Sequence, residues 1–233
     1  MQSIILVGGF GTRLGALTKD TPKPMLPIRG VPYLEFFLKR LKREGFEKVV
    51  LATGFKSDVI ESHFTVANNQ LPRLEFSFEE SPLGTGGAIA KALNKITNDV
   101  FFVFNGDSYL DVDFALMQNK HFETGADLTV ASRFISPADR YGVLSVDRQD
   151  RVMCFEEKGA KRQGVINGGI YLCNRAQMKK TFLMLDKDTF SFEEEILSSL
   201  SDQLKIFHFL SKGFFIDIGI PKDYKRAQSE LFL

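Results

Sequence analysis

The sequence predicts an α/β fold in which a mixed, mostly parallel sheet carries helices on both faces and an antiparallel elaboration at one edge. In the first half of the 233 residues, short apolar runs alternate with amphipathic segments, an order typical of a parallel sheet with crossover helices. In the second half, strand-like runs are separated by short polar turns, which favours antiparallel pairing. No linker, low-complexity tract or internal repeat interrupts the chain, so we expect residues 1–233 to form one domain.

The first half contains four predicted strands and three predicted helices. Each strand is a short apolar or β-branched run, and the strands span 4–7, 48–53, 74–78 and 100–104. Each helix repeats its apolar residues at helical spacing, and the helices span 33–43, 57–64 and 85–96. Pro32 stands where a proline suits the start of the first helix, and Ser57 is a suitable N-cap for the second.

The second half contains six predicted strands and three predicted helices. The strands span 128–134, 143–146, 152–155, 169–172, 205–209 and 214–218. Two helices are expected near 176–184 and 192–200, and a last helix follows Pro221.

The composition excludes several classes of protein. With 44% hydrophobic residues and a formal net charge of +1, the chain is too apolar and too weakly charged to be disordered. Its 30 Lys and Arg are balanced by 29 Asp and Glu, so we expect no nucleic-acid partner. No apolar run reaches the roughly 18 residues of a membrane span, and the run at 4–7 lacks the basic flank of a signal peptide. We therefore expect a cytoplasmic protein without membrane association, in which Cys154 and Cys173 are buried, reduced thiols.

A glycine-rich turn follows the first predicted strand. Gly8, Gly9 and Gly11 let a ligand approach the backbone closely, and consecutive N–H groups form an anion-binding concavity. Thr12 and Arg13 follow, and an arginine adds a planar bidentate donor for phosphate oxygens. The spacing excludes both the Walker pattern and the Gly-x-Gly-x-x-Gly dinucleotide fingerprint. A purely structural turn is the alternative, but the adjacent arginine favours a phosphate-binding loop at the carboxyl end of the strand.

A proline-rich segment about ten residues further on contains a single lysine. The prolines at 22, 24 and 27 fix an extended, stiff loop around Lys23. A lysine held in this way loses little backbone entropy when it binds an anion. A solvated loop lysine is the common alternative, but the nearby phosphate-binding loop indicates a phosphate-binding lysine.

A second glycine-rich turn leads into the predicted helix at 85–96. Glu80 opens the segment, and Gly84 and Thr85 stand where the helix begins. Small residues at a helix N-terminus allow close contact with a flat base or a ribose. The alternative is a simple strand-to-helix turn, which needs one glycine, whereas this turn has three.

Two acidic residues occur at the ends of apolar strands. Asp107 follows the most apolar strand of the sequence, and Asp217 lies at the end of another. A buried carboxylate is unfavourable unless it is paired or binds a metal, and Mg²⁺ prefers one or two carboxylates together with phosphate oxygens. Either residue alone could be a capping residue, but the two together predict a shared Mg²⁺. Asp111 and Asp113 have the context of a turn and a helix N-cap.

These motifs resemble the signature of the sugar-1-phosphate nucleotidyltransferases, also called sugar-nucleotide pyrophosphorylases. The signature segments are Gly8-Gly9-x-Gly11-Thr12-Arg13-Leu14 and Pro22-Lys23-Pro24-Met25, and similar motifs cover nearly the whole chain. The resemblance implies a three-layer, Rossmann-like (GT-A-like) fold with a nucleotide-binding half at about 1–125 and a sugar-phosphate-binding half at about 126–233. It also implies Mg²⁺ as the cofactor, and no C-terminal β-helix domain is expected.

The resemblance further implies two sets of site residues. The nucleotide set is Leu6, Gly8, Gly9, Gly11, Thr12, Arg13, Lys23, Glu80, Gly84, Thr85 and Asp107. The sugar-phosphate set is Tyr141, Gly142, Glu157, Lys158, Asn167 and Asp217. In the second set, Lys158 is expected on the phosphate oxygens, Glu157 near the sugar hydroxyls, and Asn167 on the sugar ring. A solvated charge run is the alternative for the first two. The implied metal ligands are Asp107 and Asp217.

No activated nucleophile occurs in the sequence, because its three histidines have no serine or cysteine in a nucleophile-like context. A phosphate needs no general base, since its second pKa is about 6. We therefore predict in-line attack by a sugar-1-phosphate oxygen on the α-phosphorus of an NTP, with release of pyrophosphate. The predicted catalytic residues are Arg13, Lys23, Asp107 and Lys158.

One branch of the family has motifs that resemble three further segments of this chain, namely the short guanylyltransferases for D-glycero-D-manno-heptose 1-phosphate, which supply GDP-heptose for bacterial surface polysaccharides. The segments are Pro82-Leu83-Gly84-Thr85-Gly86-Gly87-Ala88, Asp139-Arg140-Tyr141-Gly142 and Phe190-Ser191-Phe192-Glu193. The resemblance thus implies GTP and heptose 1-phosphate as partners, and a homo-oligomer is compatible with it. Mannose or glucose 1-phosphate with GTP, UTP or CTP is the nearest alternative. Two other classes stay open. One is a non-catalytic sugar-nucleotide sensor or regulatory subunit, and the other is a GT-A glycosyltransferase with Asp111-Val112-Asp113 as its Asp-x-Asp metal motif.

Overall fold

Thirteen β-strands and six α-helices occur in the part of the chain that this computed structural model describes, which is residues 1–9, 11–65, 68–156, 159 and 163–231. The strands are β1 (Gln2–Leu6), β2 (Pro27–Ile28), β3 (Val31–Pro32), β4 (Lys48–Thr53), β5 (Arg73–Phe78), β6 (Val100–Asn105), β7 (Ser108–Leu110), β8 (Leu128–Ile135), β9 (Val143–Val146), β10 (Val152–Glu156), β11 (Gly164–Asn174), β12 (Ile206–Leu210) and β13 (Phe215–Asp217). The helices are α1 (Tyr33–Arg43), α2 (Ser57–His63), α3 (Gly84–Leu93), α4 (Phe114–Thr124), α5 (Arg175–Leu185) and α6 (Pro221–Glu230). Two 3₁₀ helices cover Thr12–Thr18 and Lys23–Met25, and a π-helical stretch covers Glu193–Ser199.

Nine of the described strands form one mixed sheet, and the centre of this sheet is parallel. In the order β5–β4–β1–β6, neighbouring strands pair in parallel, as predicted for a sheet with crossover helices. The long strand β11 pairs antiparallel with β6, β8 and β9. Beyond these, β10 pairs antiparallel with β9, and β12 pairs in parallel with β8. The predicted fold class is therefore confirmed, and β11 joins the parallel centre to the antiparallel elaboration.

The strand register brings residues from both halves of the chain to one edge of the sheet. Leu6 at the end of β1 pairs with Asn105 at the end of β6. Strand β11 runs in the opposite direction, and its Ile170 pairs with Phe104. Asn167, three residues earlier, therefore lies near the carboxyl end of β6, at a bulge in the pairing of β11 with β8. This is the edge at which open α/β sheets bind ligands.

Two apolar clusters, one on each face of the sheet, stabilise this arrangement. Phe102 and Phe104 of β6 lie on one face, where Phe37, Phe46 and Phe114 make edge-on ring contacts with them. The alternate residues of β6 pack on the other face, in a cluster that includes residues of α3 and α5. Both faces of the sheet are thus covered, which is why the central strands are apolar throughout.

Helix α4 is the largest element that the sequence pattern does not predict. Met117 and His121 are buried, but Leu116 and Phe122 are more than half exposed, so its apolar residues do not follow one stripe. Its predicted N-cap is confirmed, because the Asp113 side chain accepts a hydrogen bond from the Leu116 N–H at 2.9 Å. The short strands β2, β3 and β7 have no periodicity that a sequence pattern could reveal.

Two local predictions are wrong. Cys154 is exposed, because a bulge in β10 turns it away from the core, whereas Cys173 is buried, and burial raises the pKa of its thiol. Lys56, at a φ of 53°, occupies the N-cap of α2 in place of Ser57. The helical segment predicted near 192–200 is confirmed over Glu193–Ser199, and its turns are π-helical. Among the described residues, no helix has the length and apolar character to cross a membrane.

Candidate active site

The first glycine-rich turn folds back on itself directly after β1. Gly11 has a φ of +65°, and a Cβ there would lie 3.1 Å from the Lys23 Cβ, so the turn requires a glycine. The Thr18 hydroxyl lies 3.1 Å from the Gly11 carbonyl oxygen and 3.2 Å from that of Gly15. Thr18 thus fixes the turn that carries Arg13, and no motif in the sequence identifies it, because its partners are backbone atoms.

Lys23 is a buried cation beside this turn. Only 6% of its surface is exposed. Its ammonium group donates a hydrogen bond to Asp107 Oδ2 at 2.6 Å and lies 3.8 Å from Asp217 Oδ1. An unpaired ammonium group at this depth would be strongly unfavourable, so the two carboxylates stabilise it. The alternative of a solvated loop lysine is therefore excluded.

A two-stranded ribbon brings the two carboxylates together. Strand β7 begins directly after Asp107, and its first residue, Ser108, pairs with Asp217 in the antiparallel strand β13. The Ile218 N–H donates to the Asp107 carbonyl oxygen at 2.9 Å and extends this pairing. The buried Tyr33 hydroxyl donates to the Ser108 carbonyl oxygen at 2.7 Å and holds the ribbon against α1. Acids from opposite halves of the chain therefore lie side by side.

The charged groups converge at Gly219. A Cβ at this residue would lie 2.7 Å from Asp217 Oδ1, 2.8 Å from Lys23 Nζ and 3.3 Å from Arg13 Nη2. Any side chain here would fill the space between these groups. Arg13, Lys23, Asp107 and Asp217, which the sequence analysis singles out, thus lie around one cleft.

The Asp107 carboxylate is close enough to affect the ionisation of Asp217. Burial raises the pKa of Asp217, and the negative charge of Asp107 raises it further, while Lys23 acts in the opposite direction. A divalent cation would favour the ionised form of Asp217. These oxygen donors fit Mg²⁺, which takes one or two carboxylates and fills its other positions with phosphate oxygens and water. No group of three or more metal-binding side chains occurs among the described residues, so substrate oxygens would have to complete the shell.

Three cavities open onto this cleft, and Asp107 lines all of them. Their volumes are about 490, 280 and 320 Å³, and we number them one to three in that order. The predicted residues that line cavity one are Leu6, Gly8, Gly9, Glu80, Gly84, Thr85 and Asp107. Those that line cavity two are Arg13, Asp107, Tyr141, Gly142, Asn167 and Asp217. Those that line cavity three are Leu6, Gly9, Gly11, Thr12, Arg13, Lys23 and Asp107. Glu157 and Lys158 lie outside the described residues.

Cavity two has walls that fix its shape closely. A Cβ on Gly142 would lie 2.2 Å from the Phe155 ring, so a glycine is required there. Arg140 donates to the buried Asp223 carboxylate at 2.6 Å and to the Tyr141 hydroxyl oxygen at 2.9 Å. Burial raises the pKa of Tyr141, and the Arg140 charge opposes this change. Arg140 therefore holds Tyr141 in place at the edge of the cavity.

The second glycine-rich turn owes its glycines to packing within the protein. A Cβ on Gly84 would lie 2.5 Å from the Phe190 carbonyl oxygen, and one on Gly86 would lie 2.1 Å from the Phe190 ring. A Cβ on Gly87 would lie 2.2 Å from the Asp188 carbonyl oxygen. The expectation that all three glycines admit a base or a ribose is therefore corrected, although Gly84 does line cavity one. The segment at 188–190 occupies the space that larger side chains would need.

Glu79 lies in the candidate site, although no motif in the sequence identifies it. It lines cavity one beside Glu80, and its Oε2 accepts a hydrogen bond from the Leu83 N–H at 3.0 Å. A Cβ on Gly8 would lie 3.1 Å from its Oε1, so this oxygen lies against the first glycine-rich turn. Burial raises the pKa of the Glu79 carboxyl. The signal that could have found it is the one used for Asp107, an acid directly after a strand.

The Asp-x-Asp alternative has no support in the geometry. Asp111 pairs with Arg40 at 2.7 Å, and the Asp113 carboxylate caps α4. Neither residue lines any of the three cavities, and the three histidines lie away from them as well.

Comparisons with known proteins identify the family to which this chain belongs. The family model described as nucleotidyl transferase matches residues 2–232. The D-glycero-alpha-D-manno-heptose 1-phosphate guanylyltransferase of Aneurinibacillus thermoaerophilus is 41% identical over 231 residues, which cover 99% of this chain and 98% of that protein. The protein of the same name from Campylobacter jejuni is 42% identical over 224 residues, which cover 96% of this chain and 97% of that protein. The crystal structure of HddC from Yersinia pseudotuberculosis complexed with GMP-PN matches with a TM-score of 0.83 and 34% identity, and the match covers 98% of each chain. The chain therefore belongs to the nucleotidyl transferase family.

Proposed function

We propose that this chain transfers GMP from GTP to D-glycero-α-D-manno-heptose 1-phosphate, with GDP-heptose and pyrophosphate as products. The observation that carries the proposal is the meeting of three cavities at Asp107, with the cations of Arg13 and Lys23 beside it. Two polyanionic substrates need such cations between them in order to approach each other. The two relatives that are 41% and 42% identical to this chain bear the name of this activity.

Each cavity suits one part of the substrates. Cavity one is lined by residues of the 1–125 half and would take the base and ribose. Cavity three, with the first glycine-rich turn, would take the β- and γ-phosphates. Cavity two is lined largely by residues of the 126–233 half and would take the sugar. Asp107 would then stand where the sugar phosphate meets the α-phosphate.

The reaction needs no general base, because a sugar 1-phosphate is largely a dianion at neutral pH, with a second pKa of about 6. Its oxygen attacks the α-phosphorus in line, so that a new P–O bond forms as the bond to the β-phosphate oxygen breaks. The backbone amides of Gly9, Gly11 and Thr12, together with Arg13, hold the β- and γ-phosphates. Lys23 stabilises the negative charge that develops at the α-phosphate.

We also propose Mg²⁺ as the cofactor, held by Asp107 and Asp217. When bound, it would neutralise phosphate charge and polarise the phosphoryl oxygens. On the sugar side, Lys158 is proposed to orient the attacking phosphate, and Glu157 and Asn167 to contact the sugar. These roles rest on the family resemblance, and the lining of cavity two supports the role of Asn167.

Glu79 is the residue proposed to select the base. Guanine is the nucleobase with two neighbouring N–H donors on its Watson–Crick edge, and a carboxylate accepts such a pair with both oxygens. Both Glu79 and Glu80 line cavity one, but Glu80 is exposed, while Glu79 is partly buried and fixed by the Leu83 N–H. A fixed, partly desolvated carboxylate discriminates between bases more strongly than a mobile, solvated one.

The test is a panel of four NTPs against heptose, mannose and glucose 1-phosphates, with pyrophosphate release as the measurement. We expect the highest kcat/KM for GTP with heptose 1-phosphate. A higher kcat/KM for another pair would identify that pair as the substrates, and binding without pyrophosphate release would indicate a sensor or regulatory subunit.

A matched pair of variants, Glu79→Gln and Glu80→Gln, distinguishes the roles of the two acids. We expect Glu79→Gln to lower kcat/KM for GTP by roughly 10- to 100-fold, with a smaller effect on ATP. An equal loss for every NTP would contradict base selection by Glu79.

A further inference from the structure

Glu193 connects cavity one to cavity two, and nothing in the proposed reaction uses it. It lies at the start of the π-helical stretch and lines cavity two. Its Oε2 accepts a hydrogen bond from the Thr85 hydroxyl at 2.7 Å, and Thr85 lines cavity one. Its Oε1 accepts a hydrogen bond from the Tyr171 hydroxyl at 3.2 Å. Both oxygens are therefore held, and the carboxylate cannot rotate freely.

The carboxylate fixes the direction of a chain of hydrogen bonds. An ionised carboxylate only accepts, so the Tyr171 hydroxyl must donate its single proton to Glu193. The Tyr171 oxygen then accepts a hydrogen bond from Asn167 Nδ2, at 2.7 Å. Tyr171 is fully buried, so no bulk water competes for this hydroxyl. Burial and the negative charge of Glu193 both raise the pKa of Tyr171, which keeps the proton on the hydroxyl.

The other end of the chain gives the same direction independently. The Gly169 backbone N–H can only donate, and it donates to Asn167 Oδ1 at 3.0 Å. The Asn167 amide is therefore oriented from both sides, with its oxygen towards Gly169 and its nitrogen towards Tyr171. An amide nitrogen carries two hydrogens, and the second one is left for a ligand in cavity two, which Asn167 lines.

The position of Glu193 is itself set by packing against the nucleotide half. The Phe192 N–H donates to the Thr85 hydroxyl oxygen at 2.8 Å, so Thr85 accepts from one residue and donates to the next. The Gly86 N–H donates to the Phe190 carbonyl oxygen at 2.9 Å. The close approach of the 188–190 segment to α3 therefore determines where the Glu193 carboxylate lies.

We propose that Glu193 is a positioning residue that, through Tyr171, holds the Asn167 amide nitrogen in place as an N–H donor towards the sugar, so that this side of cavity two selects a sugar oxygen that accepts a hydrogen bond. The inference rests on the proposed function, since it assumes that cavity two takes the sugar phosphate. Glu193 acts through Tyr171 and needs no contact with the substrate. A glutamine at 193 could turn its NH₂ group towards Tyr171, and the hydroxyl would then be free to point its proton at Asn167 Nδ2, so that the amide nitrogen would lose its acceptor.

The experiment compares the kinetics of Glu193→Gln and Tyr171→Phe with those of the wild type, using the sugar 1-phosphate that the wild type turns over fastest. Because the lost interaction is the same in the ground state and the transition state, KM for the sugar 1-phosphate should rise about tenfold or more in each variant, with kcat nearly unchanged. The Kd for GTP alone, measured by calorimetry, should stay within about twofold of the wild type. The double variant should be no worse than either single variant, because one chain is broken in each case.

Glu195→Gln is the matched control. Glu195 lies two residues further along the same π-helical stretch, but its carboxylate pairs with Lys187 at the surface and lines none of the three cavities. This variant should keep the wild-type KM and kcat.

An unchanged sugar-phosphate KM in Glu193→Gln, or additive effects in the double variant, would overturn the positioning role. Absence of pyrophosphate release by the wild type would instead overturn the proposed function. Calorimetric titration of each variant with the sugar 1-phosphates would still test Glu193 in that case, because a Kd equal to that of the wild type contradicts its role.

Discussion

The Lys23 ammonium group donates a 2.6 Å hydrogen bond to the Asp107 carboxylate, and this pair lies at the meeting point of the three cavities. Lys23 is almost fully buried, whereas 39% of the Asp107 side chain is exposed. The lysine is therefore the deeper partner, and the carboxylates of Asp107 and Asp217, at 2.6 and 3.8 Å, are the charges that face it. Any change at Lys23 alters both the stability and the chemistry of the site.

Replacement of the buried ammonium group is expected to destabilise the protein in a pH-dependent way. In Lys23→Met, the two carboxylates face each other unpaired, and the free energy of unfolding at pH 7 should fall by about 2 kcal/mol. This loss is smaller than the loss expected for a fully buried ion pair, because the Asp107 side chain is partly exposed. Without Lys23 the pKa of Asp217 rises further, so the loss should shrink as the pH falls and this group takes up a proton. Turnover should fall by roughly 100-fold or more. Urea unfolding at pH 5 and pH 7 measures the effect, with the surface variant Lys187→Met as control. A loss of stability that is equal at both pH values would contradict the prediction.

The Thr18 hydroxyl is expected to control nucleotide binding through the shape of the turn. Thr18→Val keeps the volume of the side chain but removes its contacts with the carbonyl oxygens of Gly11 and Gly15. The turn should lose order, and KM for the NTP should rise by about tenfold, at a cost of about 1 kcal/mol in stability. Thr18→Ser keeps the hydroxyl and should retain most of the wild-type KM. Equal KM values for the valine and serine variants would show that the hydroxyl has no such role.

Substitution of a glycine in the second glycine-rich turn is expected to lower the stability of the protein more than it weakens nucleotide binding. Gly86→Ala places a Cβ where the Phe190 ring lies, at 2.1 Å, and overpacking of this kind costs about 1–3 kcal/mol. Phe190→Leu should restore part of this loss when the two changes are combined, because the removed ring atoms make room for the methyl group. Thermal unfolding of the three variants measures the coupling. A Gly86→Ala protein with wild-type stability and only a raised nucleotide KM would contradict this packing role.

A buried histidine is expected to contribute to acid unfolding. Burial lowers the pKa of His121 from 6.5 to about 4, and its Nδ1 lies 2.8 Å from the Thr129 hydroxyl. The unfolded chain therefore binds a proton at a higher pH than the folded chain does. The stability due to neutral His121 is complete above about pH 6.5 and is lost as the pH falls towards 4, to a total of about 3 kcal/mol.

Substitution of His121 isolates this contribution. His121→Asn keeps a polar atom near Nδ1 but does not titrate in this range, so its free energy of unfolding should fall less steeply between pH 6.5 and 4.5 than that of the wild type. The more exposed His63, replaced in the same way, serves as control. Burial also lowers the pKa of His208. Protonation of His208 therefore accounts for the pH dependence of the free energy of unfolding that remains in both variants. Parallel curves for His121→Asn and the wild type would show that His121 does not contribute.

Elements with strong local signals could be predicted closely from the sequence. The predicted bounds of α1, β4 and β9 agree with the structure to the residue, because a proline precedes α1 and each of the two strands is a short run rich in valine. The meeting of the first glycine-rich turn with the residues of the Lys23 cleft could also be predicted, since glycines, prolines and strand-end acids are local features. These signals suffice to name the groups of the site, but not to determine how they are held together.

The parts that could not be predicted depend on partners far away in the sequence. Strands β7 and β13 have three residues each, and only their mutual pairing makes them strands. The sequence predicts that the small residues of the second glycine-rich turn admit a ligand, because nothing near Gly86 in sequence indicates that Phe190 packs there. Glu193 is part of a motif that the sequence presents without a role, and its hydrogen bonds to Thr85 and Tyr171 reach other elements. Long-range packing of this kind leaves no periodic trace in a single sequence.

The ribbon of β7 and β13 also determines when a newly made chain acquires its site. Ribosomes release the chain from its N-terminus, and Asp217 is translated more than a hundred residues after Asp107. Strands β1, β4, β5 and β6 can assemble while Lys23 has only the first of its two acidic neighbours. A nascent polypeptide halted before β13 would therefore have a formed cavity one, but Asp217 would be missing from the charged residues beside it. Its maturation into a working catalyst would require β13 to pair with β7, a pairing of three residues.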